Sequence, residues 1–177
     1  MKDRKKRLTE ICGGCCGYDT PFGRLVIEED GEGITAVHFP GTASDFGRPS
    51  PLTDRAAAQL IEYFEGKRRE FSLPLHPNGT AFQRTVWEAL QSIPYGETRS
   101  YLQIAQAIGR PSASRAVGAA NRVNPIPFLI PCHRVIGTNG SLTGYAGGLA
   151  LKQALLALEK KMALEDMARE SRCSGKE

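Results

Sequence analysis

Two short apolar runs, Leu25-Val26-Ile27 and Ile34 to Phe39, flank Glu29-Asp30-Gly31-Glu32-Gly33, and this arrangement predicts a β-hairpin. Pro40 to Pro51, rich in Gly, Pro and Ser, reads as a loop. Thr53 is the expected N-cap of a helix that carries Leu60, Ile61 and Phe64 and stops at Gly66. Phe71 to Leu75 reads as a short strand or extended piece, and His76-Pro77-Asn78-Gly79 marks a boundary near residue 80. Beyond it the apolar period becomes helical. Thr80-Ala81-Phe82-Gln83 is a capping box opening a helix with Phe82, Val86, Leu90 and Ile93 on one face, ended by Pro94. Ser100-Tyr101-Leu102-Gln103 is a second box, opening a helix closed by Gly109, and Ala113 to Arg122 is a third helix after the Pro111-Ser112 turn. Helix, short turn, helix is the helix-turn-helix outline. Asn124-Pro125-Ile126-Pro127 cannot be helix interior. Phe128-Leu129-Ile130 is a buried apolar run, Gly137 to Gly148 is glycine-rich, and a last helix runs from about Leu149 past Glu159.

These patterns divide the 177 residues into a basic, cysteine-containing tail (1–17), an α/β unit (18–79), a mostly helical unit (80–162) and a C-terminal extension (163–177). No internal repeat and no apolar run long enough to span a membrane is visible. The basic start, Met1 to Arg7, leads into no apolar segment of a secretory signal. The net charge of +4 is a mild bias toward anionic partners. Five cysteines, an odd and clustered set, argue against a disulfide framework and fit a reducing cytosol.

The candidate chemistry starts at Pro131-Cys132-His133-Arg134-Val135, where a cysteine beside a histidine follows a buried run. The thiolate is the nucleophile, and a free thiol needs help to ionise at neutral pH. Read as extended backbone, the segment would point the two side chains apart, so a bridging water is the expected proton path. Glu159 lies on the helical stripe of Leu151 and Leu155, where a carboxylate is costly unless paired, and a histidine ring is the expected partner. Arg110, Arg115 and Arg122 surround the third helix, as nucleic-acid binding would require. Each feature alone has a bland reading: a structural buried cysteine, a glutamate reaching solvent or Lys160, a helical core without DNA, a flexible glycine connector. Cys12, Cys15 and Cys16 contain half a zinc site, with only His38 or His76 as spatial candidates to complete it, so neither metal nor cofactor is expected.

Taken together, Asn124-Pro125-Ile126-Pro127, Pro131-Cys132-His133-Arg134-Val135 and Gly144-Tyr145-Ala146-Gly147-Gly148 closely resemble the O6-alkylguanine-DNA alkyltransferases, also called methylated-DNA–protein-cysteine methyltransferases. The resemblance is strong over about 80–162 and includes Phe82 to Trp87, Ile93 to Thr98 and Ser114 to Gly118; a weaker match covers about 20–79. It implies an α/β (α+β) fold with a small ribonuclease-H-like domain and a winged-helix-like helix-turn-helix domain. It implies single-turnover DNA repair, with an alkyl group moved from O6-alkylguanine to Cys132, and O4-alkylthymine as a further candidate substrate. His133 would draw the thiol proton through a water and Glu159 would orient His133. Asn124 would brace the turn, and Tyr101 would line the pocket and help protonate the leaving guanine. Arg115, with Ser114, Ala116, Asn121 and Arg122, would form the DNA contact, Arg115 holding the place of a nucleotide flipped out of the duplex. Tyr145, Ala146 and Gly147 would wall the pocket. The partner would be alkylated double-stranded DNA read in the minor groove by a monomer, in the cytoplasm of a prokaryote or the nucleus of a eukaryote. Ala146 stands where some relatives have serine, and the cysteine cluster has no counterpart in the family pattern.

Three rivals make different demands. A non-enzymatic lesion sensor of alkyltransferase type lacks the acceptor cysteine, whereas Cys132 is present. A helix-turn-helix transcription regulator would bind by sequence, without lesion-dependent modification of a cysteine. A Cys–His hydrolase would need turnover and an oxyanion hole.

Overall fold

Leu25 and Ile27 are fully buried, and Ile27 pairs with Val37 across a hairpin whose second strand also holds Ile34. In the computed structural model, which describes residues 14–43 and 47–173, this hairpin is β2 (Gly23–Glu29) and β3 (Ile34–His38). A third strand, β1 (Gly14–Thr20), pairs antiparallel with β2 at the edge of the sheet, with Cys16 opposite Ile27 and Tyr18 opposite Leu25. This strand takes in the last four residues of the tail expected over 1–17. Glycines and cysteines show no strand alternation, and β1 is held by backbone pairing and by its Tyr18 hydroxyl, 2.8 Å from Thr53 Oγ1 and 2.7 Å from Asp54 Oδ1. The basic run and Cys12 lie outside the described residues.

Helix α1 (Pro51–Phe64) lies across this sheet and buries Ala56, Leu60, Tyr63 and Phe64. Each large apolar side chain removed from water contributes about 1.5–3 kcal/mol. Its N-cap is Ser50, not Thr53. Pro51 takes the first helical position, where no N–H is needed. Thr53 is instead the third residue of the capping box: its N–H donates to Ser50 Oγ at 3.1 Å and its hydroxyl accepts from Ser50 N at 2.9 Å. The 71–75 segment is extended but forms only one bridge, Ile34 with Leu75.

In the second half, α2 (Ala81–Gln91) and α3 (Tyr101–Ala107) open on the two capping boxes, at Thr80 and Ser100. A 3-10 turn over Pro111–Ala113 leads into α4 (Ser114–Arg122). The Trp87 indole N–H donates to Ala120 O at 2.9 Å and locks α2 to α4. A two-residue parallel ladder, β4 (Arg99–Ser100) with β5 (Val135–Ile136), ties the start of α3 to the segment after Cys132.

The last helix, α5 (Leu149–Cys173), continues through the residues read as an extension. No glycine or proline interrupts it before Gly175. It is also anchored: Arg69 Nε lies 2.8 Å from Asp166 Oδ2, and a Cβ on Gly96 would fall 2.8 Å from that of Ala163. Gly96 also holds φ +79°, so both its conformation and its contact favour glycine. The two halves meet where β3 Val37 N donates to Pro125 O at 2.9 Å and where Phe128 packs its ring on Phe39 and Phe64.

Candidate active site

The segment from Asn124 to Val135 wraps under the hairpin and is almost wholly buried. Asn124 clamps its bend: the amide Nδ2 donates to Ile130 O at 2.9 Å, and Oδ1 accepts from Ile126 N at 3.0 Å. Phe128 has φ +69°, the left-handed region. Such a conformation costs about 1–3 kcal/mol for a residue with a side chain and is held by its surroundings, here the packed Phe39 and Phe64 rings. Cys132–Arg134 then forms a 3-10 turn, not the extended segment expected from sequence. Prolines upstream and the Cys132 N–H to Ile130 O bond at 2.7 Å turn the chain there.

Cys132 is 4% exposed and His133 fully buried. Burial pushes the Cys132 thiol up to about 11, against the lowering effects of the Asn124 side chain, the Lys152 charge and nearby backbone N–H groups. Burial likewise lowers His133 below its ordinary value, although the Glu159 hydrogen bond and charge oppose this. Both groups therefore rest neutral, and ionising the thiol requires moving its proton. His133 Nε2 lies 2.9 Å from Glu159 Oε1, while Nδ1 is buried with no protein hydrogen-bond partner.

Glu159 does more than face His133. Its carboxylate accepts from Arg134 Nε and Nη2, each at 2.9 Å, from Gly96 N at 3.2 Å and from Tyr63 Oη at 2.6 Å. Burial opposes its charge, but the His133 and Arg134 bonds outweigh this and hold its pKa at about 2. Arg134 Nη1 also donates to Ile93 O at 2.7 Å.

Sequence reasoning missed Lys152. It is fully buried, with Nζ 2.6 Å from Val135 O and 3.0 Å from Thr143 O, and its charge acts on Cys132. A signal existed, because Lys152, Leu155 and Glu159 occupy one buried stripe of α5, and a lysine there raises the same question as the glutamate. Tyr63 was missed as well; nothing in a tyrosine on an apolar stripe indicates a partner 96 residues away.

The DNA-contact candidates separate. Arg115, Ala116 and Arg122 are exposed on α4 and Ser114 is half-buried. Ser114, Arg115, Gly118 and Arg122 line one open groove with Tyr101 and Gly144. Asn121 is buried instead: its Nδ2 lies 3.3 Å from Cys132 O, so its position on α4 faces the core and the DNA-contact reading is corrected. The Tyr101 hydroxyl accepts from Thr143 Oγ1 at 3.1 Å. Tyr145 stacks edge-on against His133 at 6.5 Å, its own hydroxyl buried and unpartnered. Ala146 is exposed, and Gly147 packs against Phe39 and Leu151. Cys15 and Cys16 sit on β1, and Cys15 Sγ is 4.0 Å from Glu28 Oε1. Among the described residues, no three His, Cys, Asp or Glu side chains converge as metal ligands would.

Two family models match the chain. Residues 16–77 match the ribonuclease-like domain of 6-O-methylguanine DNA methyltransferase, and residues 81–161 match its DNA-binding domain. A methylated-DNA–protein-cysteine methyltransferase of Methanosarcina acetivorans is 47% identical over 148 residues, covering 80% of this chain and 95% of that protein. The constitutive one of Bacillus subtilis is 47% identical over 152 residues, covering 80% and 92%. The crystal structure of Mycobacterium tuberculosis OGT in complex with DNA superposes with a TM-score of 0.77 at 47% identity, covering 84% of this chain and 93% of that one. The chain thus belongs to the 6-O-methylguanine DNA methyltransferase family.

Proposed function

We propose that Cys132 is the cysteine that accepts the alkyl group. The chain's activity is that of its family: repair of alkylated DNA by transfer of a methyl group from the base to a protein cysteine. The observation that carries the assignment is a buried thiol beside a histidine whose Nε2 is held by a carboxylate while Nδ1 stays unengaged. In the transfer, the sulfur of Cys132 attacks the carbon bound to O6. The S–C bond forms as the C–O bond breaks, and guanine leaves with its oxygen. The thiol proton goes to His133 Nδ1 through a water, Glu159 stabilises the imidazolium, and Tyr101 supplies a proton to the guanine. The proton held by His133 later restores Tyr101 through solvent. The product is a thioether with no leaving route, which makes the protein single-use.

The reactive carbon is inaccessible inside a duplex, so the nucleotide must be extruded. Arg115, exposed on a helix whose neighbours Ser114, Ala116, Gly118 and Ala119 are small, is suited to fill the gap. Small residues let the helix approach DNA closely; entry through the minor groove, by a monomer, is what the resemblance to the family implies. Asn124 positions the acceptor turn, and Tyr145, Ala146 and Gly147 form the pocket wall. No described helix is long and apolar enough to cross a membrane. The DNA that it repairs would put the protein in the cytoplasm, at the nucleoid, of a prokaryote, or in the nucleus of a eukaryote. The test is intact-mass and peptide mapping after mixing with DNA containing O6-methylguanine: one methyl on the Cys132 peptide, once per molecule. Modification of another cysteine, or repeated turnover, would refute it.

A further inference from the structure

One buried hydroxyl reaches the site from the N-terminal half of the chain. Tyr63, on α1, is fully buried among the rings of Phe64, Phe71 and Tyr95. Its Oη donates to Glu159 Oε1 at 2.6 Å and stands 3.2 Å from His133 Nε2. An ionised carboxylate only accepts hydrogen bonds, so the single phenolic proton is committed to Glu159. Burial and the adjacent Glu159 charge keep the phenol protonated. Toward Nε2, Tyr63 therefore presents lone pairs alone. Glu159 Oε1, 2.9 Å away on the same nitrogen, presents lone pairs too. A nitrogen facing two acceptors must carry the hydrogen, which leaves Nδ1 as the basic nitrogen.

We propose that Tyr63 is a positioning residue for alkyl transfer: with Glu159 it holds His133 in the Nε2–H form and keeps Nδ1 open to the Cys132 proton. Arg134, Gly96 and the Tyr63 hydroxyl itself all donate to the same carboxylate, so the Tyr63 lone pairs give Nε2–H a second acceptor beside an oxygen that is already shared. The ribonuclease-like half then completes the catalytic apparatus of the other half as well as covering it. This rests on the reading of Cys132 as acceptor.

The test compares wild type with Tyr63→Phe and Tyr95→Phe. Tyr95 carries a buried hydroxyl with no partner in the same ring cluster, so Tyr95→Phe controls for loss of a hydroxyl without loss of a bond. Two quantities are read: imidazole 15N shifts of His133, with His38 and His76 as internal references, and single-turnover methyl transfer as a function of pH. The charged and titratable groups facing the ring are Glu159, Arg134, Lys152, Cys132, Tyr63 and Tyr145. All but Tyr63 are unchanged in the variant. The expected result is an Nε2–H spectrum in wild type that becomes mixed in Tyr63→Phe. Transfer should slow about tenfold, less than the 10²–10⁴ that a general base contributes. DNA affinity and Tyr95→Phe should stay at wild-type values. An Nδ1–H spectrum in wild type overturns the proposal whether or not the variant folds. So do a wild-type rate and spectrum in Tyr63→Phe, or equal slowing in both variants. If wild type fails to methylate Cys132, the acceptor reading falls, while the 15N comparison still decides the role of Tyr63.

Discussion

Arg134 and Glu159 form a buried pair in which the guanidinium takes both carboxylate oxygens, Nε to Oε2 and Nη2 to Oε1, each at 2.9 Å. The glutamate that faces the histidine is thereby ion-paired with Arg134 while it stays ionised. Lys152 is left as a buried cation that donates to two carbonyls and to no carboxylate among the described residues. Its charge has one natural counterpart in the site, the thiolate of Cys132.

Glu159→Gln should therefore damage the fold as well as the chemistry. Removing one partner of a buried ion pair costs about 3–5 kcal/mol, or roughly 10 °C in melting temperature for a domain of this size. The ionised form is favoured in the folded state, with a pKa near 2 against an ordinary 4.5. Its stabilisation is complete above the ordinary value and is lost as pH falls from about 4.5 toward 2. Wild type should lose melting temperature across that window, and Glu159→Gln should lose less. Thermal melts from neutral pH downward check both; parallel curves would contradict the pairing.

Lys152→Met should raise the pKa of Cys132, because the charge that lowers it is gone. Transfer at neutral pH should fall about tenfold, less than the roughly 10²–10³ lost with a donor that touches the developing charge. Leaving Val135 O and Thr143 O unpaired costs about 1–3 kcal/mol, partly offset by no longer burying a charge. The pH profile of Cys132 alkylation by iodoacetamide reads the thiol directly. An unchanged profile would show that Lys152 is only a strut.

Much of this was legible in the sequence, for identifiable reasons. The capping boxes at Thr80 and Ser100 are local and each fixes a helix start within four residues. The hairpin followed from two apolar runs around a Gly-rich turn. Glu159 stood out because an apolar stripe penalises a carboxylate, and the same logic applied to Lys152 would have found it too. β1 was illegible because an edge strand held by backbone bonds needs no apolar alternation. The length of α5 was illegible because its far end is held by Arg69, about a hundred residues earlier in the chain. The burial of Asn121 needed the phase of α4, which small residues on several faces leave undetermined.

Arg115→Ala should slow repair of a duplex by tenfold or more, about 1.4 kcal/mol in the barrier, and leave reaction with free O6-alkylguanine nearly unchanged. Arg115 is exposed on α4, outside the Cys132 environment, and only the duplex requires extrusion. Parallel single-turnover assays on the two substrates decide. Equal losses on both would remove Arg115 from flipping.

Truncation distinguishes the tail from the strand. Deleting through Gly17 removes four residues of β1, opposite Val26 to Glu29, whereas deleting through Gly13 leaves the ladder whole. Ladder hydrogen bonds contribute about 0.5–1.5 kcal/mol each. The longer deletion should lower the melting temperature by several degrees more than the shorter one. Equal melting temperatures would mean that the lower half of β1 adds nothing.

The most direct measurement is the mass of the protein after one equivalent of DNA containing O6-methylguanine, with wild type and Cys132→Ala side by side. The expected result is a single added methyl in wild type, located by peptide mapping on Cys132. Excess DNA should produce no second addition, and Cys132→Ala should stay unmodified while still binding the DNA. A methyl on Cys12, Cys15, Cys16 or Cys173, a modified Cys132→Ala, or continued turnover in wild type would contradict Cys132 as the acceptor.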